Sequence, residues 1–313
     1  MATYLVTGGC GFIGSHVCDA LIARGDSVRV LDDLSTGHVE NLPEGVELTV
    51  GDVADSEVVG RLMQGADGCF HLAAVASVVR SVEAWAETHR INLGGTINVL
   101  EAARHAQPDR PARVVYASSA AIYGDNASMP LAESSQARPL SPYGADKLGS
   151  ELHARVASLI HGVPTTGFRF FNVYGPRQDP SSPYSGVISI FADRLQRGLP
   201  LSIHGDGQQA RDFIYVADVV RFLLAGMDEA QGASVYNVCT GNATTIMQLA
   251  QTLAALQGVP CKTEPMAPRT GDIRTSLGDP RKARRQLRYQ AQWSLADGLR
   301  ETLHHGSAHR DAA

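Results

Sequence analysis

The sequence predicts a doubly wound α/β fold: a parallel sheet with helices on both faces, followed by a smaller C-terminal lobe. Three observations predict it. Short β-branched runs alternate with helical stretches through residues 1–172, a glycine-rich turn closes the first run, and after Asn172 the alternation loosens into Pro, Gly and Ser.

The elements follow in order. Residues 4–7 read as a strand and 12–23 as the helix that returns the chain to a second strand at 27–31. A third strand at 46–50 feeds a helix at 56–63, and a fourth at 69–72 feeds one long helix from about 82 to 105. The strand 113–116, a helix beginning at Pro142 and the strand 165–171 complete the series. The lobe boundary is expected at 172: residues 1–172 form the first lobe, with part of 210–241 returning to it, and 173–313 form the second. Residues 301–313 are polar and small with scattered histidines and read as a frayed tail.

At 313 residues with 44% hydrophobic content, the chain can bury a large core, which excludes disorder as its main state. The net charge of -5 provides no basic field for a polyanion, so nucleic acid is not an expected partner and a small ligand is. Five cysteines are an odd number with no CxxC pair, suggesting neither a disulfide framework nor a metal site. No apolar run approaches the ~18 residues of a membrane span, and no basic start with a cleavage site precedes the first strand. The expectation is a soluble, cytoplasmic protein with no membrane partner.

Thr7-Gly8-Gly9-Cys10-Gly11-Phe12-Ile13-Gly14 joins the first strand to the first helix, the context a phosphate-cradling turn requires. Gly8 permits the tight turn, Gly11 lets backbone approach a pyrophosphate, and Gly14 lets helix and strand pack closely. Phe12 and Ile13 open the helix at whose amino end the anion would lie. Asp32, ending the second strand, is placed to accept hydrogen bonds from an adenosine ribose and to repel a 2′-phosphate. The expected cofactor is therefore NAD rather than NADP. Asp33 points away by alternation and reads as a solvated loop carboxylate.

The Gly-x-x-Gly-x-x-Gly spacing is similar to that of the short-chain dehydrogenase/reductase superfamily, whose cofactor lobe is Rossmann-type. The resemblance implies that Asp52 and Val53 lie where the adenine ring is held. It also implies that Ala73 and Ala74 are small so that backbone can pass beside the cofactor. His71 reads as a packed histidine. Asn92 reads as a structural residue in a stretch resembling one that braces cofactor loops.

Tyr143 and Lys147 stand four apart at the start of the helix that Pro142 opens, so both project from one face. A free phenol has a pKa of about 10, so ionising it near neutrality takes a shift of roughly three units, or about 4 kcal/mol, from neighbouring positive charge. Lys147 and a nicotinamide cation can supply it, leaving Tyr143 as a base toward a substrate hydroxyl. The preceding strand ends in two hydroxyls, Ser118 and Ser119, where substrate meets cofactor in an open α/β sheet. The extended short-chain family places its triad serine or threonine where Ser119 stands. That resemblance makes Ser119 the proton relay and Ser118 the fallback; Tyr123 and Pro142 read as structural.

Over nearly all of residues 1–300 the chain resembles the UDP-hexose 4-epimerases. Arg169-Phe170-Phe171-Asn172-Val173-Tyr174-Gly175-Pro176 is similar to the segment whose asparagine touches the sugar diphosphate, which implies that role for Asn172. The segments beginning at Arg211 and Arg269 resemble the two places where family arginines clamp the diphosphate, and guanidinium forks suit phosphate oxygens. Asp272 is expected to orient Arg269, and Asp218 to cap a helix. Ser77 stands near where relatives offer a lysine or glutamine. Ser276 stands where glucose-restricted relatives hold a bulky tyrosine, which implies that N-acetylated sugars also enter.

Related dehydratases place an Asp-Glu pair immediately after the triad threonine, and decarboxylases a glutamate; here Ala120 and Ala121 occupy that stretch. The chemistry left is hydride removal at C4, rotation of the 4-keto intermediate and hydride return, with NAD tightly bound. The resemblance further implies a homodimer. Two competing readings are a related epimerase or oxidoreductase acting on a UDP-uronate or another nucleotide sugar, and a non-enzymatic NAD sensor, which would not need the Tyr143–Lys147 pair.

Overall fold

Strands covered by helices on both faces need apolar residues in unbroken runs, and the first half of this chain supplies them. A computed structural model describes residues 1–178, 186–229, 232–268 and 273–308. It opens with β1 (Thr3–Thr7), α1 (Phe12–Ala23), β2 (Ser27–Asp32), β3 (Glu47–Val50), α2 (Ser56–Met63) and β4 (Gly68–His71), close to their expected bounds.

The single long helix expected over 82–105 is corrected. The chain forms α3 (Val78–Glu83), α4 (Trp85–His89), a π-helical turn at Arg90–Gly94, and α5 (Gly95–Arg104). Ser77 starts α3 early by accepting the Arg80 amide at 3.0 Å, and Ala84, at φ -129 and ψ 58, breaks the helix.

There follow β5 (Arg113–Ser119), α6 (Pro142–His161), β6 (Thr165–Phe170), β7 (Asn172–Tyr174), α7 (Val187–Gln196), β8 (Leu201–His204), β9 (Ala210–Tyr215) and α8 (Val216–Glu229). The chain ends with β10 (Ala233–Val238), β11 (Ala243–Thr245), α9 (Ile246–Gln257), β12 (Thr263–Met266), β13 (Thr275–Ser276), α10 (Arg281–Gln286) and α11 (Leu295–Ala308).

Seven strands form one parallel sheet in the order β10-β6-β5-β4-β1-β2-β3. Strand alternation divides its core in two. Tyr4 and Val6 join Phe70, Val115 and Phe168 against α1 and α8, while Leu5 joins Leu31, Cys69 and Val114 against α2, α5 and α6. A third cluster fills the smaller lobe, where β9 pairs with β7, β11 and β13, and β12 pairs with β8. Crossing between lobes is repeated: β7 and β9 belong to the small lobe, β10 returns to the large sheet, and β11 goes back.

Two further corrections concern the C-terminal part. Residues 301–308 continue α11 rather than fraying, because Leu295, Leu299 and Leu303 recur at helical spacing and pack into the third cluster. Asp218 lies inside α8 and is fully buried. It accepts the Gln292 and Trp293 amides at 2.9 and 3.0 Å, docking the C-terminal segment instead of capping its own helix. Among the described residues no helix is long and apolar enough to cross a membrane, and no cluster of His, Cys, Asp and Glu could hold a metal ion.

Candidate active site

The sheet's connections reverse direction between β1 and β4, and a crevice opens beyond the carboxyl ends of those strands. Gly8 lies there at φ +74, and a Cβ on it would sit 2.7 Å from the Ala73 amide nitrogen. One on Gly14 would collide with the Gly8 carbonyl. Backbone from both strand ends is therefore packed as a bare cradle at the start of α1, whose N-cap Gly11 brings no side chain to its amides. Phe12 and Ile13 turn their side chains toward the small-lobe core. Cys10 is buried, and burial pushes its thiol up to about 12, consistent with a small filler.

Asp32 ends β2 and is 6% exposed; its oxygens accept the Cys10 and Leu34 amides, each at 2.9 Å. Burial raises its pKa against the opposing pull of those amides. Asp33 is exposed and turns to Ser35, as alternation predicts. Asp52 accepts the Ala54 amide at 2.8 Å and pairs with Arg90 at 2.7 Å, while Val53 sinks into the core. Ala73 and Ala74 follow β4 after Leu72. His71 lies between Thr7 at 2.8 Å and Thr96 at 3.0 Å, and burial lowers its pKa to about 3, so it is a neutral packed residue. Asn92, in the π turn, clamps both backbone groups of Val75, at 2.8 and 3.2 Å.

The structure brings Ser119, Tyr143 and Lys147 together. Ser119 closes β5 and accepts the Ala121 amide at 3.1 Å. Ser141 caps α6 on the Gly144 amide at 3.1 Å and Pro142 opens the helix, which sets Tyr143 in the first turn. Burial raises the Tyr143 phenol and a hydrogen bond from Ser119 opposes that rise. Lys147 is 4% exposed, its Nζ lies 5.8 Å from the Tyr143 ring centroid, and burial lowers its pKa to about 8 against the pull of Asp146. Ser118 turns instead to Glu151, at 2.5 Å, and takes no part in this group.

A cavity of about 390 Å³ opens in the small lobe, lined by Asn172, Arg211, Arg194, His204, Ser202 and Gln209 on its polar side and by α7 side chains and Ile246 on its apolar side. Asn172 stands two residues beyond Phe170, the register partner of Ser119, so the cavity begins beside the triad strand. Ser276 pairs with Arg211 across β13 and β9. Ser77 caps α3 and is 5% exposed. Arg269 and Asp272 lie outside the described residues.

Arg194 and His204 were not legible as lining residues, since neither stands in a motif that points to a ligand. Glu151 carried a signal, the four-residue spacing from Tyr143 through Lys147, whereas Arg169 and Asn237 are joined by strand register and Tyr123 reaches both from the short turn after β5.

A model of the NAD dependent epimerase/dehydratase family matches residues 4–239. The UDP-glucose 4-epimerase of Mycolicibacterium smegmatis is 37% identical over 306 residues, 96% of this chain and 96% of that protein. The structure of UDP-glucose 4-epimerase from Thermotoga maritima with UDP-glucose aligns with a TM-score of 0.94 at 38% identity, covering 98% of this chain and 99% of that one. That of UDP-N-acetylglucosamine 4-epimerase from Methanobrevibacter ruminantium, in complex with UDP-N-acetylmuramic acid, aligns at 0.93 and 33%, with coverage of 98% and 99%.

Proposed function

The chain belongs to the NAD dependent epimerase/dehydratase family and NAD is its cofactor, and from that premise we propose that it inverts C4 of a UDP-hexose. One observation carries the reading: the Tyr143 ring lies 5.8 Å from the Nζ of a buried Lys147, and the strand that ends in Ser119 is followed by Ala120 and Ala121, which offer no acid or base for elimination. Bound NAD supplies the hydride acceptor and, for the return transfer, the donor. The bare backbone around Gly8, Gly11 and Gly14, with Phe12 and Ile13, fits its pyrophosphate. Asp32 fits the adenosine ribose, Asp52 and Val53 the adenine edge, and Ala73 and Ala74 the passage beside the nicotinamide half. NAD is held tightly, because the reaction has no net redox change.

Tyr143 takes the proton of the sugar 4-hydroxyl through Ser119 and returns it after the 4-keto intermediate has turned over. Lys147 places positive charge near the phenol, and a neighbouring positive charge favours the ionised form. Asn172 and Arg211, which line the cavity, hold the diphosphate, the resemblance assigns Arg269 the same role, and Ser77 is assigned to the sugar. Ser276, small and beside Arg211, leaves room for an N-acetyl group, so both UDP-glucose and UDP-N-acetylglucosamine are substrates. Two copies pair through α3, α4 and α6, where Val79, Val82, Trp85, Leu152, Leu159 and Ile160 are exposed.

The test is to incubate the purified protein, without added NAD, with each UDP-sugar and resolve the products by chromatography. Both C4 epimers of both sugars are expected. No conversion of either, even with NAD added, would overturn the reading, and turnover of a UDP-uronate alone would move it to that sugar class.

A further inference from the structure

Ser118, Arg169 and Asn237 are register partners on the adjacent strands β5, β6 and β10, and their side chains belong to one polar row across the buried sheet. Glu151 of α6 closes one end. Arg169 donates to it from Nε and Nη2 at 2.9 and 2.7 Å, and the Ser118 hydroxyl donates to the same carboxylate at 2.5 Å. Tyr123 closes the other end, accepting from Arg169 at 2.8 Å and donating to Asn237 at 2.6 Å. All five side chains are buried.

A buried ion pair seldom adds net stability over an apolar filling of the same shape, so stability alone does not account for this one. Its placement does. Tyr143, Lys147 and Glu151 follow at four-residue intervals, so the row grips the same face of α6 one turn beyond the lysine. Ser118 immediately precedes Ser119, the proton relay proposed for Tyr143. At the far end Asn237 donates to the carbonyls of Leu131 and Asp279 at 2.8 and 3.4 Å, and Leu131 is bridged to Gly278, two residues past Ser276.

We propose that Glu151 and Arg169 are positioning residues for the epimerisation, fixing α6 against β5 so that Tyr143 meets Ser119, and tying that register to the strand that carries Ser276. This rests on the roles proposed above for Ser119, Tyr143 and Lys147. The loss of the latch leaves the cofactor cradle and the diphosphate cavity untouched and loosens only the reacting group.

Glu151→Gln and Ser118→Ala test it in the full chain. Bound NAD, melting temperature, kcat, KM and the pH profile are measured, together with an ultraviolet titration of the Tyr143 phenol as the difference between each protein and its Tyr143→Phe derivative. NAD content should persist and KM stay within about twofold, while kcat falls about tenfold, since small misplacements of a reacting group are costly. The acid limb and the phenol midpoint should move to higher pH as the Ser119 contact weakens. Removing the Glu151 charge would by itself move that midpoint down, so an upward move reports geometry. Wild-type kcat with an unmoved titration in both variants overturns the proposal. A fall in kcat that only tracks lost NAD and lost melting temperature, with the midpoint unmoved, also overturns it. Should Glu151→Gln not fold, Ser118→Ala decides, because it keeps the ion pair. If the wild type epimerises neither sugar, the catalytic reading falls, and the phenol titration still decides whether the row sets Tyr143.

Discussion

Tyr143 and Lys147 oppose each other electrically: burial makes the phenol harder to ionise and the ammonium easier to neutralise. The lysine charge is present below about pH 8 and is lost as pH rises through it. A reaction that needs that charge should therefore lose kcat/KM on the alkaline side from about pH 8, and Lys147→Arg should shift that limb upward while it retains activity. Tyr143→Phe should lower turnover by a factor on the order of 10²–10⁴ with NAD still bound, and rates like the wild type's would remove the phenol from the mechanism. Ser276→Tyr should cost more activity on UDP-N-acetylglucosamine than on UDP-glucose; equal losses would mean that the position does not gate sugar size. These residues were legible because each stands in a local motif. Arg169 and Asn237 were not, because their meeting with Ser118 depends on how three strands align, and register is not written in any one strand.

At the level of elements, the glycine turn, α1 and the first six strands of the parallel sheet were legible because both-face burial and backbone crowding leave marks in composition. The break at Ala84 and the π turn left none: neither Gly nor Pro stands at the break, and only packing against α6 and the Val75 loop selects it. That turn has a use, since an extra residue re-aims Asn92 at both backbone groups of Val75. Asn92→Ala should leave those groups unpaired in a half-buried loop and cost roughly 1–3 kcal/mol, read as a lower melting temperature. The loop lies just past Ala73 and Ala74, so bound NAD should fall with it; full NAD content in the variant would confine Asn92 to a structural role. The α11 helix was hidden for a different reason, its polar exposed face outweighing three leucines in a composition-based reading.

Across the whole molecule, the exposed apolar side chains of α3, α4 and α6 form the surface proposed to pair two copies. Leu159→Glu, a change on a side chain 70% exposed, should leave the fold intact and shift the sedimenting species to a monomer; an unchanged species would place the contact elsewhere. The repeated crossing between lobes also sets an order of assembly on the ribosome. The cofactor-lining residues named above are all made by residue 170, but one face of the sheet waits for α8 at 216–229, its edge at β6 waits for β10 at 233–238, and the small sheet waits for β13 at 275–276. A nascent chain therefore holds the residues of the nucleotide cradle while one sheet face and one strand edge are still bare, a state open to pairing with another chain. Early capture of NAD during synthesis would then act as a folding aid long before it takes part in any reaction.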